Sequence, residues 1–89
     1  MIKAYILTYN DDFADVKNII AMLKDVDSII DIRSCLSNMI IFKSSENATT
    51  ISKKIIEMNP NKRFFITEIS TNRQGWLPKE LWSFIQSQD

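Results

Sequence analysis

Three observations in the sequence predict an α+β fold. Apolar residues alternate at period two in four segments and recur at steps of three and four in two others. A two-residue gap, Ser37-Asn38, separates the second and third alternating segments and reads as an antiparallel hairpin. The resulting order is strand, helix, strand, strand, helix, strand. That is the split βαβ pattern of a ferredoxin-like, two-layer βαββαβ sandwich, here with an extra short C-terminal helix.

Each element has its own warrant. Residues 2–9 alternate, with Ile2, Ala4, Ile6 and Thr8 on one face and Lys3, Tyr5, Leu7 and Tyr9 on the other. Asn10, Asp11 and Asp12 follow, and such side chains suit a helix start. Phe13, Val16, Ile20 and Leu23 then share one helical face, which predicts a helix over 12–25. Residues 29–36 form the second strand, with Ile30 and Ile32 on one face and Asp31 and Arg33 on the other. Residues 39–43 form the third. Residues 44–47 offer caps for a second helix, where Ala48, Ile51, Ile55 and Met58 share a face. Asn59-Pro60 stops it, because a residue before proline avoids helical geometry. Residues 63–70 alternate as the fourth strand.

A single domain, 1–89, is expected, with its core in 1–70 and a tail in 71–89. Gly75, the lone glycine of the chain, is read as a positive-φ bend. Pro78 suits the first turn of a short helix over 78–87. Right-handed crossovers put the first two helices on one face of the sheet. The other face is expected to carry Tyr5, Leu7 and Tyr9 uncovered. Such a patch needs a cover. A homodimer through those residues is the first expectation, and the chain's own tail laid across the sheet is the rival.

Composition removes much chemistry. The chain of 89 residues has no histidine, which excludes Ser-His and Cys-His catalysis and imidazole metal ligation. One glycine excludes the glycine-rich phosphate loops, and one cysteine excludes an internal disulfide or a thiolate zinc cage. The 11 basic and 11 acidic residues cancel, so a general nucleic-acid coat is not expected. The longest apolar run, residues 19–23, is far short of the ~20 residues that cross a bilayer. No leader is read at the start of the chain. With the lone thiol, this points to a cytoplasmic protein without membrane contact.

Candidate sites are few. Asn10, Asp11 and Asp12 end the first strand, where carboxylates can hold Mg²⁺ as a cofactor; capping and dipole pairing at a helix start is the favoured role. Cys35 reads as a structural thiol. Tyr5 and Tyr9 with Phe42 or Phe65 are weighed as a base-stacking platform and set below core packing. Lys53-Lys54, Lys62-Arg63 and Arg73 are the basic clusters. Gly75, Trp76, Leu77, Pro78, Lys79, Glu80 and Trp82 form the most specific motif, read as an anchor for the tail or as a binding surface.

The end of the first strand, Leu7-Thr8-Tyr9-Asn10, the fourth strand Ile66-Thr67-Glu68-Ile69 and the Gly75–Trp82 motif resemble a group of short bacterial proteins with a G-W-L-P-K-E-x-W tail. The group resembles, more distantly, the CRISPR adaptation protein two and virulence-associated protein D families. That resemblance implies a homodimeric ferredoxin-like fold and, in some members, Mg²⁺-dependent cleavage of RNA or DNA. In those nuclease families an aspartate follows the tyrosine that ends the first strand and binds the metal. Here the position is Asn10, and a neutral amide does not supply that charge. The expectation is therefore a non-enzymatic homodimeric interaction module, with nucleic acid as a candidate partner, in a phage-defence or toxin-antitoxin setting. A weak Mg²⁺-dependent nuclease and a small-molecule-binding regulatory domain are the alternatives.

Overall fold

The computed structural model describes residues 1–13 and 15–86. Its elements run β1 (Lys3–Tyr9), α1 (Val16–Lys24), β2 (Ile29–Ser34), β3 (Met39–Ser44), α2 (Ala48–Met58), β4 (Phe64–Glu68) and α3 (Lys79–Gln86). The strands form one antiparallel sheet in the order β2-β3-β1-β4. The predicted α+β class holds: the described residues form four antiparallel strands and three helices. No helix among the described residues is long and apolar enough to cross a membrane. Residue 14, inside the predicted first helix, and residue 87, at the end of the predicted third, lie outside the described residues.

The first helix starts later than predicted. Asn10 accepts a backbone hydrogen bond from Phe13 at 3.0 Å, closing a turn. Asp15 then caps α1 by accepting from the Asn18 amide at 2.9 Å. This start places Ile19 and Leu23, one turn apart, into the core, both fully buried. Phe13 stays in the turn, where its buried ring meets those of Tyr9 and Phe64 at 5.7 and 6.0 Å. Helix α2 keeps its predicted span, with Asn47 accepting from Thr50 at its start.

The faces of the sheet are the reverse of the prediction. Tyr5, Leu7 and Tyr9 do not form an uncovered dimer face. They pack with Ile40 and Phe42 of β3 against Ile19 and Leu23 of α1 and Ile51 and Ile55 of α2. The pairing register puts Tyr5 opposite Phe42 and Leu7 opposite Ile40, so the largest side chains of two central strands share one face. The Tyr5 and Phe42 rings stack at 5.5 Å, and the Tyr5 hydroxyl donates to the Glu46 carbonyl at 2.7 Å. A tyrosine on a buried face thus keeps its polar tip satisfied at the edge of the core. Each fully buried Leu or Ile here contributes about 1.5–3 kcal/mol.

The opposite face carries the smaller Ala4, Ile6 and Thr8, and the chain's own tail covers part of it. Ile41 packs with Phe84 and Ile85 of α3, and Ile6, Cys35, Ile69, Leu77 and Trp82 join the cluster. The tail lies on the face away from α1 and α2, as the rival arrangement expects, but that face carries Ala4, Ile6 and Thr8 and not Tyr5, Leu7 and Tyr9. Strand β2 departs too. A register shift between Ile29 and Asp31 turns Ile29 and Ile32 toward the core and leaves Ile30 exposed. Ile30 and Ile32 therefore do not share a face as predicted. The hairpin turn matches: Met39 donates to the Leu36 carbonyl, and Asn38 adopts φ 57°, which asparagine tolerates.

Candidate functional site

Chemistry gathers at two places, the end of β1 and the tail. At the end of β1, Asn10, Asp11 and Asp12 are all exposed. Asp11 accepts a hydrogen bond from the Asn38 side-chain amide, tying the turn after β1 to the β2–β3 hairpin. A cleft of about 450 Å³ opens between them, lined by Tyr9, Asp11, Asp15, Cys35 and Asn38 among others. Asn10 and Asp12 do not line it. The candidate triplet is therefore split by its own geometry, because successive side chains in a turn diverge. Asp15 is committed to the α1 cap and Asp11 to Asn38. Among the described residues, no group of three or more acidic, cysteine or histidine side chains comes together to hold a metal. Cys35 is half-buried, and burial pushes its thiol above the ordinary value, against a weaker backbone hydrogen bond.

The tail motif divides into two kinds of residue. Pro78 opens α3, accepting from Leu81 at 3.0 Å, and Glu80 sits in the first turn, where a carboxylate suits the helix dipole. Leu77 and Trp82 are half-buried against the Ile41–Phe84–Ile85 cluster, so they anchor the tail. Trp76 does not: it is 98% exposed. The expected pair of tryptophan anchors is one anchor and one free ring. Gly75 is corrected as well. It has no positive φ, and a Cβ built on it meets nothing within 4 Å. Among the described residues, positive φ occurs at Asn38 and Asn61 instead.

Trp76 stands at the rim of an apolar groove of about 180 Å³, whose walls include Leu36, Met39, Ile41, Leu77 and Trp82. Leu36 is itself 56% exposed. The groove exists because the tail crosses beside the β2–β3 hairpin. Nothing local in the sequence links residue 36 to residue 76, so no sequence pattern joins these segments.

One charged group under the tail also escaped the sequence reading. Lys43 is only 2% exposed. Its ammonium lies 4.5 Å from the centre of the Phe84 ring, and the Arg33 guanidinium lies 4.7 Å from the same ring. Arg33 also donates to Asp31 at 2.5 Å, in register beside Lys43. Burial opposes ionisation of Asp31. Hydrogen bonds from Arg33 and the Ile32 amide and the charges of Arg33 and Lys43 outweigh it, holding the carboxyl below its usual range. The signal was present in the sequence: Lys43 continues the Met39–Ile41 alternation, and so belongs on the tail-facing side. Compared with protein-family models, with curated proteins and with solved structures, the chain matches none.

Proposed function

We propose that this chain is a non-enzymatic, ferredoxin-like interaction module that pairs with a second copy of itself through the tail. The βαββαβ order and the β2-β3-β1-β4 sheet support the ferredoxin-like reading. The observation that carries the binding role is Trp76, 98% exposed beside an apolar groove on the same surface. A large exposed aromatic next to a groove is a recognition feature, because burying it releases substantial apolar area.

A second copy is the occupant that fits. The patch carries both a protruding ring and an apolar groove, which are the two halves of a two-fold contact. Zero net charge leaves no long-range repulsion between copies. The homodimer thus moves from the β1 face, which lies under α1 and α2, to the tail. Resemblance to the short G-W-L-P-K-E-x-W proteins agrees with a shared use of this segment.

The absence of catalysis rests on the chemistry present. Asn10 stands where the similar nuclease families carry a metal-binding aspartate, and Asp11 and Asp15 are each engaged in a hydrogen bond within the chain. Sedimentation velocity over a concentration series tests the pairing. Wild type is expected to move toward twice its monomer mass, and Trp76→Ala to remain a monomer. Equal behaviour of the two would contradict the reading. Incubation with a mixed RNA and DNA panel and Mg²⁺ is expected to give no cleavage. Cleavage that disappears in Asp11→Ala would establish the nuclease alternative instead.

A further inference from the structure

The sheet has a second exposed feature, at its β4 edge. Strand β4 is terminal in the strand order and pairs only with β1. Its register is unbroken from Tyr9↔Phe64 to Tyr5↔Glu68, and the strand contains no proline. The other edge, β2, is interrupted by the shift at Ile29/Asp31, a device that blunts an edge against strand addition. Among the described residues, no backbone hydrogen bond outside the β1 ladder engages residues 64–68. Alternate amides and carbonyls of β4 therefore point outward without a protein partner.

Beside that edge runs a cleft of about 680 Å³ whose other wall is one face of α2. Ala48, Ser52 and Ile56 line the helix side, and Phe64 and Ile66 line the strand side. Ile56 and Phe65 are 52% and 64% exposed. Lys53, Lys62 and Arg63 also line the cleft, and among the described residues no carboxylate does. The ion pairs among the described residues join Lys3 to Glu68 and Arg33 to Asp31, so they leave these three cations unneutralised.

We propose that the β4–α2 cleft binds an extended acidic segment of a partner protein. The segment adds to the sheet as a fifth strand beside β4 and sets its carboxylates against Lys53, Lys62 and Arg63. Strand addition supplies main-chain hydrogen bonds, and the cleft beside the edge selects alternate side chains. The cations favour negative charge over any other partner chemistry. A nucleic-acid strand would satisfy the cations but not the row of peptide groups. Base stacking also wants several aromatic faces among the cations, and Phe65 is the only exposed aromatic lining this cleft. The cleft shares no lining residue with the Trp76 groove, so the proposal is independent of self-pairing.

The test titrates ¹⁵N-labelled protein with a short peptide alternating glutamate and valine. Amide shifts are expected to concentrate at residues 48–56 and 62–68. Methylating alternate backbone nitrogens of the peptide is expected to weaken binding to the wild-type protein about tenfold or more. Replacing its glutamates by lysines, or using Lys53→Glu/Arg63→Glu protein, is expected to do the same. Shifts elsewhere, or none, would overturn the proposal. So would equal binding of the methylated peptide, which would mean charge attraction without strand addition. Tighter occupation of the cleft by a uridine-rich RNA of similar length would replace the peptide with nucleic acid.

Discussion

The Lys43 ammonium lies 4.5 Å from the centre of the Phe84 ring. This contact ties the middle strand β3 to the C-terminal helix. With the charge of Asp31, its register partner, it helps to hold a lysine that is almost fully buried in a mostly apolar strand. The ring is attractive to a cation because its face carries negative potential, and burial strengthens that attraction. Aliphatic packing alone does not reproduce it.

Phe84→Leu keeps apolar bulk but removes the ring face. It is expected to cost about 1–2 kcal/mol in urea denaturation. A double-mutant cycle with Lys43→Met is expected to give a coupling of about 0.5–2 kcal/mol. Additive effects would show that Lys43 is held independently of the ring.

The two tryptophans are expected to separate in thermal denaturation. Trp82→Ala removes half-buried packing against Ile41, Phe84 and Ile85 and is expected to cost about 2 kcal/mol. Trp76→Ala removes an exposed ring and is expected to stay within about 0.5 kcal/mol for the monomer. Measuring at concentrations below self-association keeps the comparison clean, because dimerisation itself raises apparent stability.

Gly75→Ala is expected to be neutral or to stabilise by up to about 0.5 kcal/mol. The added methyl meets nothing, the backbone is not left-handed, and alanine reduces the entropy of the unfolded chain. A loss of about 1 kcal/mol or more would mean that the position needs glycine's extra freedom.

Acid is expected to weaken the fold through Asp31. Its carboxyl is held below the ordinary value in the folded chain, so the folded state favours the ionised form. The contribution is fully present above the unfolded value, near pH 4, and is lost as pH falls through the lower folded value. Asp31→Asn is expected to flatten part of the pH dependence of the urea midpoint below about pH 4. The effect is small, because the side chain is 43% exposed and solvent screens it.

The repeating apolar steps made the elements legible in the sequence. Ala48, Ile51 and Ile55 gave α2, and the Ser37-Asn38 gap gave the hairpin. Which face of a strand meets the helices is a different kind of information. Tyr5, Leu7 and Tyr9 alternate perfectly with Ala4, Ile6 and Thr8, so period two separates the faces without ranking them. Pairing with Ile40 and Phe42 ranks them, and that register is a long-range property. The β2 bulge was hidden for the same reason, since it exists only relative to β3.

At the candidate sites, the tail motif was conspicuous in the sequence, but the different fates of Trp76 and Trp82 were not. They depend on where α3 docks. Helical position decides this for Trp82, which lies within α3. Trp76 precedes α3 and has no helical periodicity to place it. The groove that it borders takes Leu36 from a hairpin forty residues earlier, a juxtaposition that no local pattern encodes.

The most direct measurement is the fluorescence of Trp76 alone, in a Trp82→Phe variant, followed over rising protein concentration. Self-pairing through the tail predicts solvent-exposed, red-shifted emission at low concentration. It predicts a blue shift, with loss of acrylamide quenching, over the same range in which the sedimenting mass doubles. Emission that stays red and fully quenchable while the mass doubles would place the contact elsewhere. Emission and mass that both stay constant would contradict self-pairing altogether.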